Sequence, residues 1–314
     1  MLRIWLFGSL SVANGIAGGR VTPVSGRCGS LLAYLALGRG RYFSRSELLG
    51  ILWPEQGLAS SSAGSFNTAL WRLRRLVECE PLRSGDLIAS DRRGGIGLNG
   101  SADIWLDTEE FERHIAPGLG KAIERLEDPD VDGLRTGVGL YKSDILVDFT
   151  DEWALREREK HRRLYLNALW RLMQVATIRG LYGEGIRHAQ SILDFDALRE
   201  DVHRELMRLF VLNGQRAQAL QQFEACRQLL WRELVIGPMR ETMELYRSIA
   251  DSAITGRDAL ALKASPIAPS VSPVPEPSSL PLTPSGQVRS LVVSARQHLA
   301  LADAQLEQSL RHTL

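Results

Sequence analysis

The residues with the clearest chemical potential lie between Ser65 and Glu78, in the stretch SFNTALWRLRRLVE. Phe66, Leu70, Leu73 and Val77 recur at spacings of four, three and four, which puts them on one face of a helix. The opposite face carries Trp71, Arg72, Arg74 and Arg75. Guanidinium groups are suited to phosphate and, by bidentate donation, to guanine O6 and N7. A surface helix with a snorkelling cation cluster has the same composition. The large indole among three arginines points instead to a helix whose outer face meets another surface. A second basic element follows in DLIASDRRGGIGLNG, where two short extended runs flank Arg92-Arg93-Gly94-Gly95, a hairpin with a basic tip.

Several elements must position these groups. RIWLFGSLSV alternates as a strand, and GGRVTPV returns as a second extended piece after a glycine turn. GRCGSLLAYLALGRG reads as a short apolar helix closed by Gly38. SRSELLGILW opens on a capping box from Ser44 to Glu47 and stops at Pro54. The third helix, about 61 to 78, contains the arginine-rich face. Gly64 costs it ~1 kcal/mol relative to alanine, so a bent or late first turn is expected. Three short helices followed by a basic-tipped hairpin is the order of a winged helix, in which the last helix enters the major groove and the wing touches the backbone or minor groove.

From Asp103 to about Ala264 the pattern is almost entirely helical, beginning with a second expected box from Asp107 to Glu110. Within it RLMQVATIRGLYGEGIRHAQSIL and ELMRLFVLNGQRAQALQQFEACRQLL align, with Leu172 on Leu206, Met173 on Met207, Gly180 on Gly214 and Ile186 on Leu220. The offset of 34 residues is the tetratricopeptide period, a helix-turn-helix unit that stacks on its neighbours. Degenerate helices at 151 to 168 and 239 to 254 flank the two copies. Beyond Lys263, SPIAPSVSPVPEPSSLPLTPSG holds seven of the 13 prolines and reads as an extended spacer. Val288, Val292, Ala295, Leu299, Ala302, Leu306 and Leu310 then form an amphipathic stripe that needs a surface to cover it, intramolecular or on a partner.

The expected architecture is therefore mainly α. A winged helix-turn-helix (α+β) at 1–100 precedes a tetratricopeptide-like all-α repeat domain at 101–262, a Pro/Ser-rich linker at 263–287 and a terminal amphipathic helix at 288–314. The formal charge of +1 hides an asymmetry: the first hundred residues hold twelve arginines, no lysine and six carboxylates, or +6, leaving −5 for the rest. A basic head on an acidic body suggests a polyanion-binding module attached to one that does something else. Three scattered cysteines, Cys28, Cys79 and Cys226, argue against a disulfide framework or zinc site and fit a reducing cytosol. Gly8, Ser9 and Ser11 break the opening apolar run, so it does not read as a removable signal, and no stretch approaches the ~20 apolar residues of a membrane span.

The combination of LRIWLFGSLSV, SRSELLGILWPE, NTALWRLRRLVE, WALREREKHRRLYLNAL, LREDVHRELMRLFVLNGQRAQALQQFEACRQLL and ETMELY resembles the SARP-type antibiotic regulatory activators over about residues 2 to 254. Those pair an OmpR-type winged helix with a bacterial transcriptional activator domain. The resemblance implies a cytoplasmic protein that binds direct repeats upstream of a promoter, usually as two protomers side by side. It implies recruitment of RNA polymerase there, with the sigma or alpha subunit open as the one touched. Carried over by position, it places base-edge contacts near Ser65, Thr68, Ala69 and Arg72, phosphate contacts at Arg74 or Arg75, and the wing contribution at Arg92 and Arg93. Trp71, inside the recognition helix, stands where many relatives carry a small polar residue. Ala197, Val235 and Arg240 also depart from the usual pattern, in loops. No G-x-x-x-x-G-K-[ST] occurs, so nucleotide control is not expected, and no cofactor or metal is implied.

Catalysis has little support. His114, His161, His188, His203, His298 and His312 are scattered, with no H-E-x-x-H, G-x-S-x-G or metal-spaced carboxylate cluster. They read as surface or packing residues, REREKHRR as a solvated helix face, and Trp153, Trp170 and Trp231 as packing residues. The competing function is a helical-repeat adaptor whose winged helix no longer reads DNA. Arginines retained on both helix and wing favour the DNA reader.

Overall fold

A computed structural model describes residues 1–14, 20–54, 60–78, 83 and 85–251. The linker and terminal amphipathic segment expected at 263–287 and 288–314 lie outside the described residues, as does Cys79.

The head begins with β1 (Leu2–Trp5), β2 (Ser11–Asn14) and β3 (Thr22–Pro23). The alternation read in the sequence puts Leu2, Ile4 and Leu6 inside. Helices α1 (Gly26–Leu37), α2 (Arg45–Leu52) and α3 (Ser60–Val77) follow, then the hairpin β4 (Ile88–Ser90) and β5 (Ile96–Leu98). The Ser44 hydroxyl caps α2 by accepting from the Glu47 amide at 3.1 Å. The Glu47 carboxylate does not return to complete the box; it pairs with Arg41 at 2.8 Å. Gly97 of β5 lies so close to the Arg41 carbonyl that a Cβ would sit 2.3 Å from its oxygen, which requires glycine there. That approach lets Phe43 and Ile96 exchange backbone hydrogen bonds at 2.9 and 3.0 Å, docking the wing on the α1–α2 connection.

The segment after Asp103 is not wholly helical. Ile104–Leu106 forms β6, which pairs in parallel with β1 and completes a sheet of order β3-β2-β1-β6. The head therefore runs to Leu106, past the expected boundary at residue 100. Nor does the Asp107–Glu110 box form, because Leu106 occupies the cap position of α4 (Asp107–Gly120). The buried Asp107 carboxylate accepts from the Leu6 and Phe7 amides, each at 2.9 Å. Burial raises its pKa, and these amide bonds oppose the rise.

The body continues with α5 (Asp128–Leu140), α6 (Glu152–Ile178), α7 (Tyr182–Phe195), α8 (Glu200–Leu212), α9 (Arg216–Leu234) and α10 (Arg240–Ala250). Three antiparallel helix pairs, α4/α5, α6/α7 and α8/α9, stack with α10 at the end. The flanking helix expected at 151–168 is continuous with the first repeat, since no breaker separates them in the 27-residue α6. The 34-residue repeat is visible in the turns. Gly180 (φ +73°) and Gly214 (φ +75°) both adopt the left-handed conformation. Beyond them Leu181 N donates to Ala176 O at 2.8 Å and Gln215 N to Phe210 O at 2.7 Å, two copies of one Schellman closure.

Head and body are laced together. Gly8 N donates to Asp144 O and Leu146 N to Leu6 O, both at 2.9 Å. Arg158 of α6 donates to the carbonyls of Ile145, Leu146 and Phe149, holding the α5–α6 loop against the end of β1.

Candidate nucleic-acid interface

Helix α3 sorts its residues onto four sides. Phe66, Ala69, Leu73 and Val77 form the inward row, and Phe66 stacks edge-on against Trp53 with centroids 5.6 Å apart. Ala69 is 5% exposed and Leu70 half-buried, the reverse of the sequence expectation. The reason is that α1 packs across α3, and a methyl fits at the inward position where α1 approaches. Ala69 therefore cannot present its side chain to a base edge.

Opposite that row, Gly64, Thr68, Trp71 and Arg75 recur at spacings of four, three and four and form the outermost crest, all of them exposed. Trp71 is 59% exposed, and the Arg75 guanidinium carbon sits 5.4 Å from the centre of its ring, within cation–π range. Thr68 donates its hydroxyl proton to the Gly64 carbonyl at 3.0 Å, leaving oxygen lone pairs outward.

The two flanks differ. On one, Ser65, Thr68 and Arg72 line a recess of about 440 Å³ with Ser25, Arg27, Cys28 and Trp53. Burial pushes the Cys28 thiol pKa up, and the charge of Arg72 partly offsets this. Arg27 was not singled out in the sequence. It bonds the Leu52 carbonyl and lies 3.7 Å from Asp151, bracing α1 against α2 and α6 beside Arg72. Its only sequence signal is a basic residue in the first turn of α1.

On the other flank Arg74 is half-buried and donates to the Ile88 carbonyl of β4 at 3.4 Å. Glu78 accepts from the amides of Gly85, Leu87 and Ile88 at 3.0, 3.1 and 2.8 Å. Arg74 is thus engaged in fixing the wing, whereas the sequence offered it as a phosphate contact. At the wing tip Arg92 and Arg93 are exposed, and the Asp91 carboxylate shapes the turn by accepting from the amides of Arg93 and Gly95 at 2.9 and 2.7 Å. The structure brings Ser65, Thr68, Trp71, Arg72 and Arg75 to one exposed side of α3.

Residues 106–250 match the bacterial transcriptional activator domain. The regulatory protein AfsR of Streptomyces coelicolor is 27% identical over 232 residues, 72% of this chain. AfsR of Streptomyces griseus is 26% identical over 228 residues, 70% of this chain. The chain thus carries a bacterial transcriptional activator domain and is similar to these AfsR regulators over about seven-tenths of its length. It spans 22% of the length of these two curated relatives. Mycobacterium tuberculosis EmbR, solved in complex with a low-affinity phosphopeptide, shares the fold: the TM-score is 0.66 at 18% identity, over 84% of this chain and 69% of that one.

The body carries a second exposed surface. Trp153 and Trp170 are buried as expected, but Trp231 is 64% exposed. With Leu234, Val235, Ile236 and Met239 it forms an apolar cluster where α9 turns into α10. Val235 occupies the left-handed conformation (φ +57°) at the α9 C-cap, and the Glu200 carboxylate accepts from the Met239 amide at 2.6 Å and the Thr242 hydroxyl at 2.5 Å, holding that turn. No helix among the described residues is long and apolar enough to cross a membrane.

Proposed function

We propose that this transcriptional regulator binds promoter DNA with α3 in the major groove and the Arg92–Arg93 wing tip on the backbone, as two protomers on direct repeats. The observation that carries the reading is the crest of α3. Thr68, Trp71 and Arg75 stand opposite a fully apolar inner row, with Arg72 beside them and the basic wing alongside. Arg72 is the proposed guanine reader, and the wing arginines supply affinity, salt dependence and register. Activation then proceeds by recruiting RNA polymerase through the helical body, whose exposed apolar cluster at Trp231 has the composition that protein–protein contacts use.

Gel shifts against the promoter region beside the chain's own gene, at two salt concentrations, test the reading. The wild type forms a sequence-specific complex, and Arg72→Ala loses sequence preference with a change of roughly tenfold or more. Arg92→Ala and Arg93→Ala weaken binding across all sequences and flatten the salt slope. Binding unchanged in all three variants contradicts the assignment. A chain that binds no DNA, yet captures RNA polymerase, would instead support the adaptor reading.

A further inference from the structure

The sequence of α3 places an aromatic residue where a recognition helix has most to lose from one, on the line that faces the floor of a groove. We infer that Trp71 is a positioning residue that holds Arg75 against a base edge, so that the Trp71–Arg75 pair reads one guanine in the target. This inference rests on the DNA-binding reading above.

Helix geometry carries the first part. Residues on the flanks of a helix lying in the major groove stand nearest its phosphate-lined walls, and from there only a long side chain such as Arg72 also reaches a base edge. Residues on the crest face its floor, which presents base edges. Arg75 lies on the crest, eleven residues after Gly64 and opposite Phe66, Leu73 and Val77, which are fully buried. A phosphate role assigned to Arg75 by position along the chain is therefore at odds with its position around the helix.

The indole carries the second part. Trp71 and Arg75 are one turn apart, and the ring lies 5.4 Å from the guanidinium carbon. A guanidinium resting on an aromatic surface loses rotamer freedom while its in-plane N–H groups remain able to donate, and bidentate recognition of O6 and N7 requires that planar fork. The rest of the exposed indole meets apolar surface on the same floor, where the most prominent apolar group is the thymine C5-methyl. The pair thus favours a guanine with a thymine beside it. A solvent-facing ornament would leave no reason for the largest side chain of α3 to sit on this line, 59% exposed and one turn from the crest arginine.

The test is a binding-site selection from randomised duplex DNA with the full chain and its Trp71→Ala, Trp71→Phe, Arg75→Ala and Arg75→Lys variants, each checked for an unchanged melting curve. The wild type selects a guanine at a position that Trp71→Ala and Arg75→Ala both lose, each with about a tenfold fall in preference. At that guanine the double variant loses no more preference than either single one. Trp71→Phe keeps the guanine, since it still offers a ring, whereas Arg75→Lys keeps the salt slope and loses the guanine. The inference is overturned if Arg75→Ala weakens all sequences equally and lowers the salt slope by about one, as a phosphate contact would. It is also overturned if Trp71→Ala leaves the preference for that guanine intact. If Arg72→Ala changes the selected site while the Trp71 and Arg75 variants do not, DNA reading stands and only this inference fails. A wild type that selects no sequence removes both.

Discussion

Trp71 and Trp231 are exposed to nearly the same degree, 59% and 64%, and each stands on the outer face of a helix. Their company separates them. Trp71 is set among Thr68, Arg72 and Arg75 in a head whose first hundred residues carry +6, and Trp231 among Leu234, Val235, Ile236 and Met239 on the body. An aromatic ring in a cationic field suits a polyanion that also offers flat or methylated edges. The same ring in an apolar cluster suits another protein surface. An exposed tryptophan is informative mainly through its neighbours.

The comparison can be broken most completely by removing the scaffold beneath Trp71. Phe66→Ala empties a fully buried site under Trp53 and should cost about 3–5 kcal/mol, read by urea denaturation. The head should lose DNA binding with it. A sharper test exchanges the surfaces without touching the core. Trp231→Ser should leave DNA affinity within about twofold and reduce reporter activation on the order of tenfold, while Trp71→Ala should reduce specific DNA affinity by a similar factor. If Trp231→Ser impairs DNA binding as much as Trp71→Ala does, the two surfaces are not distinct.

Smaller effects are expected in the body. Gly180→Ala and Gly214→Ala each place a side chain in the left-handed conformation and should cost about 1–2 kcal/mol in thermal unfolding, leaving DNA affinity at 25 °C unaltered. The smallest effect concerns acid. Hydrogen bonding to His161, with further help from Lys160, holds the Glu112 carboxyl at about 2 against an ordinary 4.5. A depressed carboxylate pKa contributes stability that is complete above the ordinary value and is lost as pH falls toward the folded value. Melting temperature should therefore fall between about pH 5 and about pH 3, less steeply in Glu112→Gln. An identical acid limb in the two proteins would contradict that role.

Much of this was legible in the sequence because it depended on local rules. The row of Phe66, Leu73 and Val77, the Arg92–Arg93 hairpin and the paired Gly180 and Gly214 all follow from spacing or from a backbone angle that favours glycine. What escaped depended on partners distant along the chain. Ile104–Leu106 is too short to declare itself a strand without β1 beside it. Asp107 looked like a helix cap until Leu6 and Phe7 brought their amides to it, and Ala69 became an inward residue only through the crossing of α1. At the interface the outward arginines could be counted but not sorted. Only the fold separates Arg74, bound to β4, from Arg75 on the crest.

The central claim is that the outer crest of α3 occupies a major groove. Dimethyl sulfate protection tests it directly, because methylation occurs at guanine N7 on the floor of that groove. The account predicts that the bound chain shields discrete guanines in each direct repeat and that Trp71→Ala or Arg75→Ala uncovers one of them. A chain that binds the same fragment while every guanine N7 stays fully reactive would contradict it.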